Sequence, residues 1–176
     1  MEHSRIRTYL EVATNAVVLL VAVLILSAFA VSHFSRPATN RTVSDGLQRG
    51  QQIPSLGGID YSSSPHTLLI AMSTQCGHCT ASIPFYNQLA GLKSNGKAQL
   101  RIVTAFSNPD ENVRQYVEQH QLKLEAKNSV DFRQLKIAGT PTMILVDPSG
   151  RVVDFWVGEL SSEDQQRVVQ SLTSLS

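Results

Sequence analysis

One uncharged run divides this chain before anything else about it can be read. Residues 16 to 31, AVVLLVAVLILSAFAV, hold one serine and no charge. A soluble core helix carries a polar stripe at helical spacing, whereas this run is apolar all round. With Ser32, His33 and Phe34 at an interface it reaches the ~20 residues of a spanning helix, so residues 16–34 read as a transmembrane segment. The run exceeds the ~7–15 apolar residues of a secretory signal core, which favours an uncleaved signal-anchor. The small-x-small triplet Ala28, Phe29, Ala30 leaves cleavage after Ala30 as the alternative. Either way the remainder crosses a membrane. Arg5 and Arg7 before the run balance Arg36 and Arg41 after it, so the positive-inside count is a tie. A tail as short as residues 1–15 is expected to stay in the cytoplasm, which puts the C-terminal part outside it.

Residues 35–50 are polar with no apolar period and suit a linker. Residues 51–176 form the expected domain, which at ~126 residues is long enough to bury a core. A formal net charge of +1 and the lack of any basic run give no electrostatic case for a nucleic-acid partner. No Gly-rich loop precedes a helix start, which removes the common nucleotide-binding motifs.

Within the domain, HTLLIAM (residues 66–72) is a continuous apolar run that suits a strand buried on both faces. Ile83, Tyr86, Leu89, Ala90 and Leu92 then mark a helix ending near Gly96. QLRIVTAF (residues 99–106) is the next strand. Asn108 and Pro109 read as N-cap and first helical residue, with Val113, Tyr116 and Val117 facing inward. A shorter helix is expected over Val130 to Lys136. PTMILVD and RVVDFWVG flank the turn residues DPSG (147–150) and form a hairpin, where Trp156 is core packing without a chemical role. Ser161, with Asp164 three residues on, starts a last helix that faces Val168, Val169 and Leu172 inward. This order calls for an α/β fold, a mixed central sheet with helices on both faces.

The chain's two cysteines, Cys76 and Cys79, follow the first strand directly. Cys76 falls where strand gives way to helix, and backbone N–H groups and the positive helix end there lower a thiol's pKa. Cys79, one turn on, is expected to lie beneath it. That asymmetry suits a couple in which Cys76 attacks and Cys79 resolves the mixed disulfide. A zinc site needs four ligands, and His66, His78 and His120 are too scattered to complete one. A structural disulfide across so short a loop removes little unfolded-chain entropy. Copper(I) on the two thiolates, with a histidine nearby, is the remaining alternative.

CGHC, Pro84 five residues after Cys79, and AGTPTMILVDPSGRVVDFWVG together resemble a thioredoxin-fold protein across nearly all of residues 60–172. The resemblance implies a three-layer thioredoxin-like architecture and a cis peptide bond at Thr140–Pro141, where trans is the default. It also implies that Thr140 and Pro141 form the ledge on which a substrate's main chain pairs, and that Pro84 bends the active-site helix. An N-terminal anchor with such a domain is similar to the bacterial TlpA-like thiol–disulfide oxidoreductases. NPDENVRQYVEQHQLKLE fits the helix and strand which that branch inserts.

The departures from the pattern are specific. Gln75 stands where the family usually has tryptophan, Ile70 replaces its buried acid, and Ser82 replaces the glutamate of the TlpA-like branch. Gly77 and His78 between the cysteines resemble protein disulfide isomerase. His78 is expected to favour the Cys76 thiolate and so place the reduction potential above the roughly −270 mV of thioredoxin. A peroxidase is not indicated, since Leu69 and Ser73 occupy the positions of its proline and threonine. The expectation is a membrane-tethered dithiol–disulfide oxidoreductase, single-pass in the bacterial inner membrane through residues 16–34, with its domain in the periplasm. It is expected to be a monomer, without cofactor or metal, acting on protein thiols and disulfides and recycled by a separate redox partner. A copper-binding assembly factor is the competing expectation, although copper-binding proteins of this fold tend to have three residues between the cysteines.

Overall fold

The apolar run after His66 forms β1 (Thr67–Met72), and every residue of it is buried. Only a strand with neighbours on both edges and layers on both faces meets that condition. In the computed structural model, β1 pairs in parallel with β2 (Arg101–Phe106) and antiparallel with β4 (Thr142–Val146). The three-residue β3 (Glu125–Lys127) lies parallel to β2 at one edge, and β5 (Val152–Val157) lies antiparallel to β4 at the other. The sheet is therefore mixed, in the order β3-β2-β1-β4-β5. The structure describes residues 46–96 and 98–175. The expected tail 1–15, the apolar segment 16–34 with its Ala30 position, and most of the expected linker lie outside those residues. Among the described residues, no helix is long and apolar enough to cross a membrane.

Side chains alternate across β1 as a strand's period of two requires. Leu68, Ile70 and Met72 join a cluster with residues of the four α-helices found among the described residues, whereas Leu69 joins the cluster on the opposite face. These helices are α1 (Gly77–Ala81), α2 (Ile83–Ser94), α3 (Asp110–Gln119) and α4 (Ser162–Thr173). The sequence predicts helices on both faces; both are covered, but the α-helices pack into one cluster and, of helical elements, only 3-10 turns into the other. The second face is closed by the segment around Leu47, Ile53, Leu56 and Ile59 and by two 3-10 turns, Tyr61–Ser63 and Phe132–Leu135.

The second of those turns replaces the helix expected over Val130 to Lys136. Asp131 caps it by accepting from the Arg133 N–H at 3.0 Å, and Lys136 ends it in the left-handed region at φ 52°. Between cap and stop there is room for one tight turn only. The start of α3 is also shifted by one residue. Pro109 is its N-cap, because the Asn108 carboxamide accepts instead from the Thr74 N–H at 3.0 Å.

The final helix starts as read, with Ser161 Oγ accepting from the Asp164 N–H at 3.2 Å. The hairpin between β4 and β5 also forms as read. Asp147 Oδ1 accepts from the N–H groups of Ser149 and Arg151, and Gly150 takes φ +82°. A Cβ at Gly150 would stand 3.0 Å from the Ile53 carbonyl, so the residue is fixed by close approach as well as by its backbone. The pairing slips by one residue between Leu145 and Val146, with Val153 as the extra residue on β5.

Packing begins before Gln51. Leu47 is buried, and Gly50 donates to the Val152 carbonyl at 2.7 Å, within the stretch read as linker.

Candidate active site

β1 delivers the chain to the cysteines. After Met72, a turn closed by the Cys76 N–H on the Ser73 carbonyl (3.2 Å) brings Cys76 to the N-cap of α1. Asn108, through its bond to Thr74, ties this turn to the loop after β2. The sequence offered no sign of that role, since Asn108 reads equally well as a cap.

As N-cap, Cys76 Sγ accepts from the Cys79 N–H at 3.2 Å. Burial works against its thiolate, but several donors outweigh it. The Cys79 thiol, the Thr140 hydroxyl and the backbone N–H groups of Cys79 and His78 together hold the Cys76 pKa below its ordinary 9.0. Cys79 is fully buried, and burial, followed by the neighbouring Cys76 sulfur, pushes its thiol up to about 12. Two cysteines separated by a glycine and a histidine are thus shifted in opposite directions, Cys76 down and Cys79 up. Only one is a nucleophile at neutral pH.

The Thr140–Pro141 bond is cis. Antiparallel pairing of β4 with β1 carries it beside the cysteines, and the Thr140 carbonyl lies 3.3 Å from Cys76 Sγ. The structure thus brings together Cys76, Gly77, His78, Cys79, Thr140 and Pro141.

His78 is the surprise within that group. Its Nδ1 lies 2.8 Å from Glu159 Oε2, and its side chain is 76% exposed. The donor that this dipeptide gives Cys76 Sγ is the His78 backbone N–H, not the ring. Glu159 stands 81 residues away in sequence, and no spacing rule pairs it with His78.

The helix expected through residue 96 is broken at Ser82. Pro84, at the second position of α2, cannot bond back to the Thr80 carbonyl, and Ser82 serves both as last cap of α1 and first cap of α2. Ser82 Oγ donates to the His78 carbonyl at 2.8 Å. Thr80 Oγ1 lies 2.9 Å from the Tyr116 hydroxyl and links α1 to α3. Ile70, buried in the same cluster as Cys79, and Ser82 leave hydrocarbon and a hydroxyl where acids were sought. The groups that shift Cys79 include no carboxylate.

A sheet in this order, with a Cys-x-x-Cys turn after its central strand and a cis-proline facing it, is a thioredoxin-like fold. Solved structures of the same fold include a Chlorobium tepidum protein provisionally described as the thiol:disulfide interchange protein DsbE. It matches with TM-score 0.61 at 19% identity, over 74% of this chain and 99% of that one. The thioredoxin domain of a thiol-disulfide oxidoreductase from Bacteroides vulgatus matches at TM-score 0.56 and 19% identity, over 73% and 99%. A thiol-disulfide isomerase from Corynebacterium glutamicum matches at TM-score 0.55 and 13% identity, over 74% and 97%. No protein-family model and no curated protein matches the chain.

Proposed function

We propose that this chain is a membrane-tethered thiol–disulfide oxidoreductase of the TlpA-like kind, with residues 16–34 as its anchor and its domain outside the cytoplasm. One observation carries the chemistry: of two adjacent thiols, one is a stabilised, partly exposed nucleophile and the other a buried, high-pKa reserve. The Cys76 thiolate attacks a disulfide sulfur of the partner protein. A Cys76–partner disulfide forms, and the partner's second sulfur leaves as a thiolate. Cys79 then loses its proton and attacks Cys76 Sγ, which closes the Cys76–Cys79 disulfide and expels the partner's first sulfur. Two electrons and two protons pass to the partner, and a protein dithiol returns them from elsewhere. The reverse sequence oxidises a partner instead. Thr140 and Pro141 supply the ledge beside the reacting sulfurs, and Gly77 and His78 set the thiolate's surroundings.

Copper binding by the same thiolates is the weaker reading. Among the described residues, no group of three or more His, Cys, Asp or Glu side chains could hold a metal ion.

The test is trapping. The full-length Cys79→Ser chain should accumulate mixed disulfides with partner proteins, because nothing resolves the Cys76 adduct. Cys76→Ser should accumulate none. Trapping that followed loss of Cys76 would reverse the roles, and trapping by neither would refute the exchange chemistry.

A further inference from the structure

Resting on that reading, we propose that Glu159 selects partner proteins carrying a lysine or arginine beside the cysteine under attack. Its position is set by the backbone. The Gly158 N–H donates to the Pro141 carbonyl at 2.7 Å, directly after the cis bond that faces Cys76. Gly158 has φ +84°, a conformation that L side chains rarely adopt, and here it ends β5 and turns the chain. Glu159 follows and reaches back to His78, on the helix capped by Cys76. Cys76 is therefore approached over a rim made of Thr140, Pro141, Gly158, Glu159 and His78. Beside the rim lies a shallow depression of about 460 Å³ lined by His78, Gly158, Glu159, Leu160 and Ser161.

This rim carries a carboxylate. Glu159 is the only carboxylate in that lining, and among the described residues its ion-pair partner is a histidine, not a lysine or arginine. The next acids along the chain, Glu163 and Asp164, share a single arginine, Arg167, and so do not offset the charge of Glu159. The Glu159 side chain is 44% exposed, and the oxygen that bonds His78 is Oε2. A pair as exposed as His78–Glu159 is held weakly, so an incoming ammonium or guanidinium displaces it at little cost and gains a charge-assisted bond. A partner strand lying along Thr140 would bring its side chains over Glu159 within a residue or two of its own cysteine. A cation there is attracted and an anion repelled.

Three otherwise identical disulfide-closed peptides, with lysine, glutamine or glutamate next to the attacked cysteine, test this. The pre-reduced full-length chain in neutral detergent reduces each, and the second-order rates are compared. At low ionic strength the lysine peptide should outrun the glutamine peptide by about three- to fivefold, the upper range for an exposed ion pair, with glutamate slower than glutamine. The preference should shrink as salt is added. Glu159→Gln should flatten the ratios, and Glu159→Lys should invert them. Ratios within one protein do not depend on how much of a variant is folded. Equal rates on all three peptides by the wild type, or ratios unmoved in Glu159→Lys, would overturn the proposal while leaving the oxidoreductase reading intact. No reduction of any peptide, with insulin also left oxidised, would sink both together.

Discussion

Replacing His78 with proline separates two ways in which this residue acts on Cys76. The His78 backbone N–H is one of the donors that stabilise the Cys76 thiolate, while the imidazole spends its hydrogen bond on Glu159. Proline has no N–H, and at the second residue of α1 it removes no intrahelical bond, so the helix is expected to survive. A hydrogen bond to a charged group is worth about 1.5–3 kcal/mol. For a two-electron couple about 1.4 kcal/mol corresponds to 30 mV, so the reduction potential should fall by about 30–60 mV where the reduced form carries the thiolate. The sign follows from which form loses a stabilising donor: only the reduced one has a thiolate to lose it. The assay is equilibration of the full-length chain in glutathione buffers of graded ratio, with thiols trapped by alkylation and counted by mass. His78→Ala keeps the N–H and should retain most of the wild-type potential, which should itself lie above that of thioredoxin. A potential unchanged in His78→Pro would refute the role of the amide. An equal fall in His78→Ala would show that the ring carries the tuning, against the geometry.

Alkylation should distinguish the two thiols. At pH 7 about one Cys79 in 10⁵ is thiolate against more than about one Cys76 in a hundred, and the greater nucleophilicity of the more basic sulfur takes back about thirtyfold of that difference. Iodoacetamide should therefore label Cys76 at least about thirtyfold faster, with a rate that rises with pH and levels off below pH 9; comparable labelling of Cys79, or an inflection at 9 or above, would contradict the assigned asymmetry. Ile144, fully buried on β4 between Leu69 and Phe155, should cost about 2–5 kcal/mol when cut to alanine. Thermal unfolding followed through the fluorescence of the single tryptophan, Trp156, would read it, and a loss below about 1 kcal/mol would mean the site collapses around the gap. A reporter that matures only in the cytoplasm, fused after Ser176, should stay dark; a bright one would overturn the proposed orientation.

Much of this was legible because it is local. A short apolar run between turn signals suits a central strand, DPSG favours a turn, and Ser161 with Asp164 caps a helix. The position of Cys76 at a strand–helix junction followed from the same short-range signals. What the sequence hid is contact between distant segments. His78 reads as a tuning residue for the sulfur beside it, and the Glu159 that takes its ring is brought near only because Gly158 pairs with Pro141. Asn108 reads as a helix cap until the Thr74 amide claims its side chain. The cis form of Thr140–Pro141 came from the family resemblance, and the surrounding residues alone favour trans. The 3-10 turn at Phe132–Leu135 and the packing of Leu47 were missed because short apolar stretches have no period from which to read them.

The antiparallel seam between β1 and β4 has a consequence for when this protein becomes reactive. Cys76 belongs to the end of one strand and Thr140 to the beginning of the other, 64 residues later. In a growing or half-folded chain the first thiol has its helix amides at most, and the buried second thiol has no lid. Both then behave as ordinary cysteines, sluggish and alike. Docking of β4 supplies the hydroxyl from Thr140 and closes the cluster over Cys79 in the same step. The disparity between the two sulfurs is thus a product of long-range assembly, and the chain does not acquire a sharp nucleophile until it has a finished sheet to hold it.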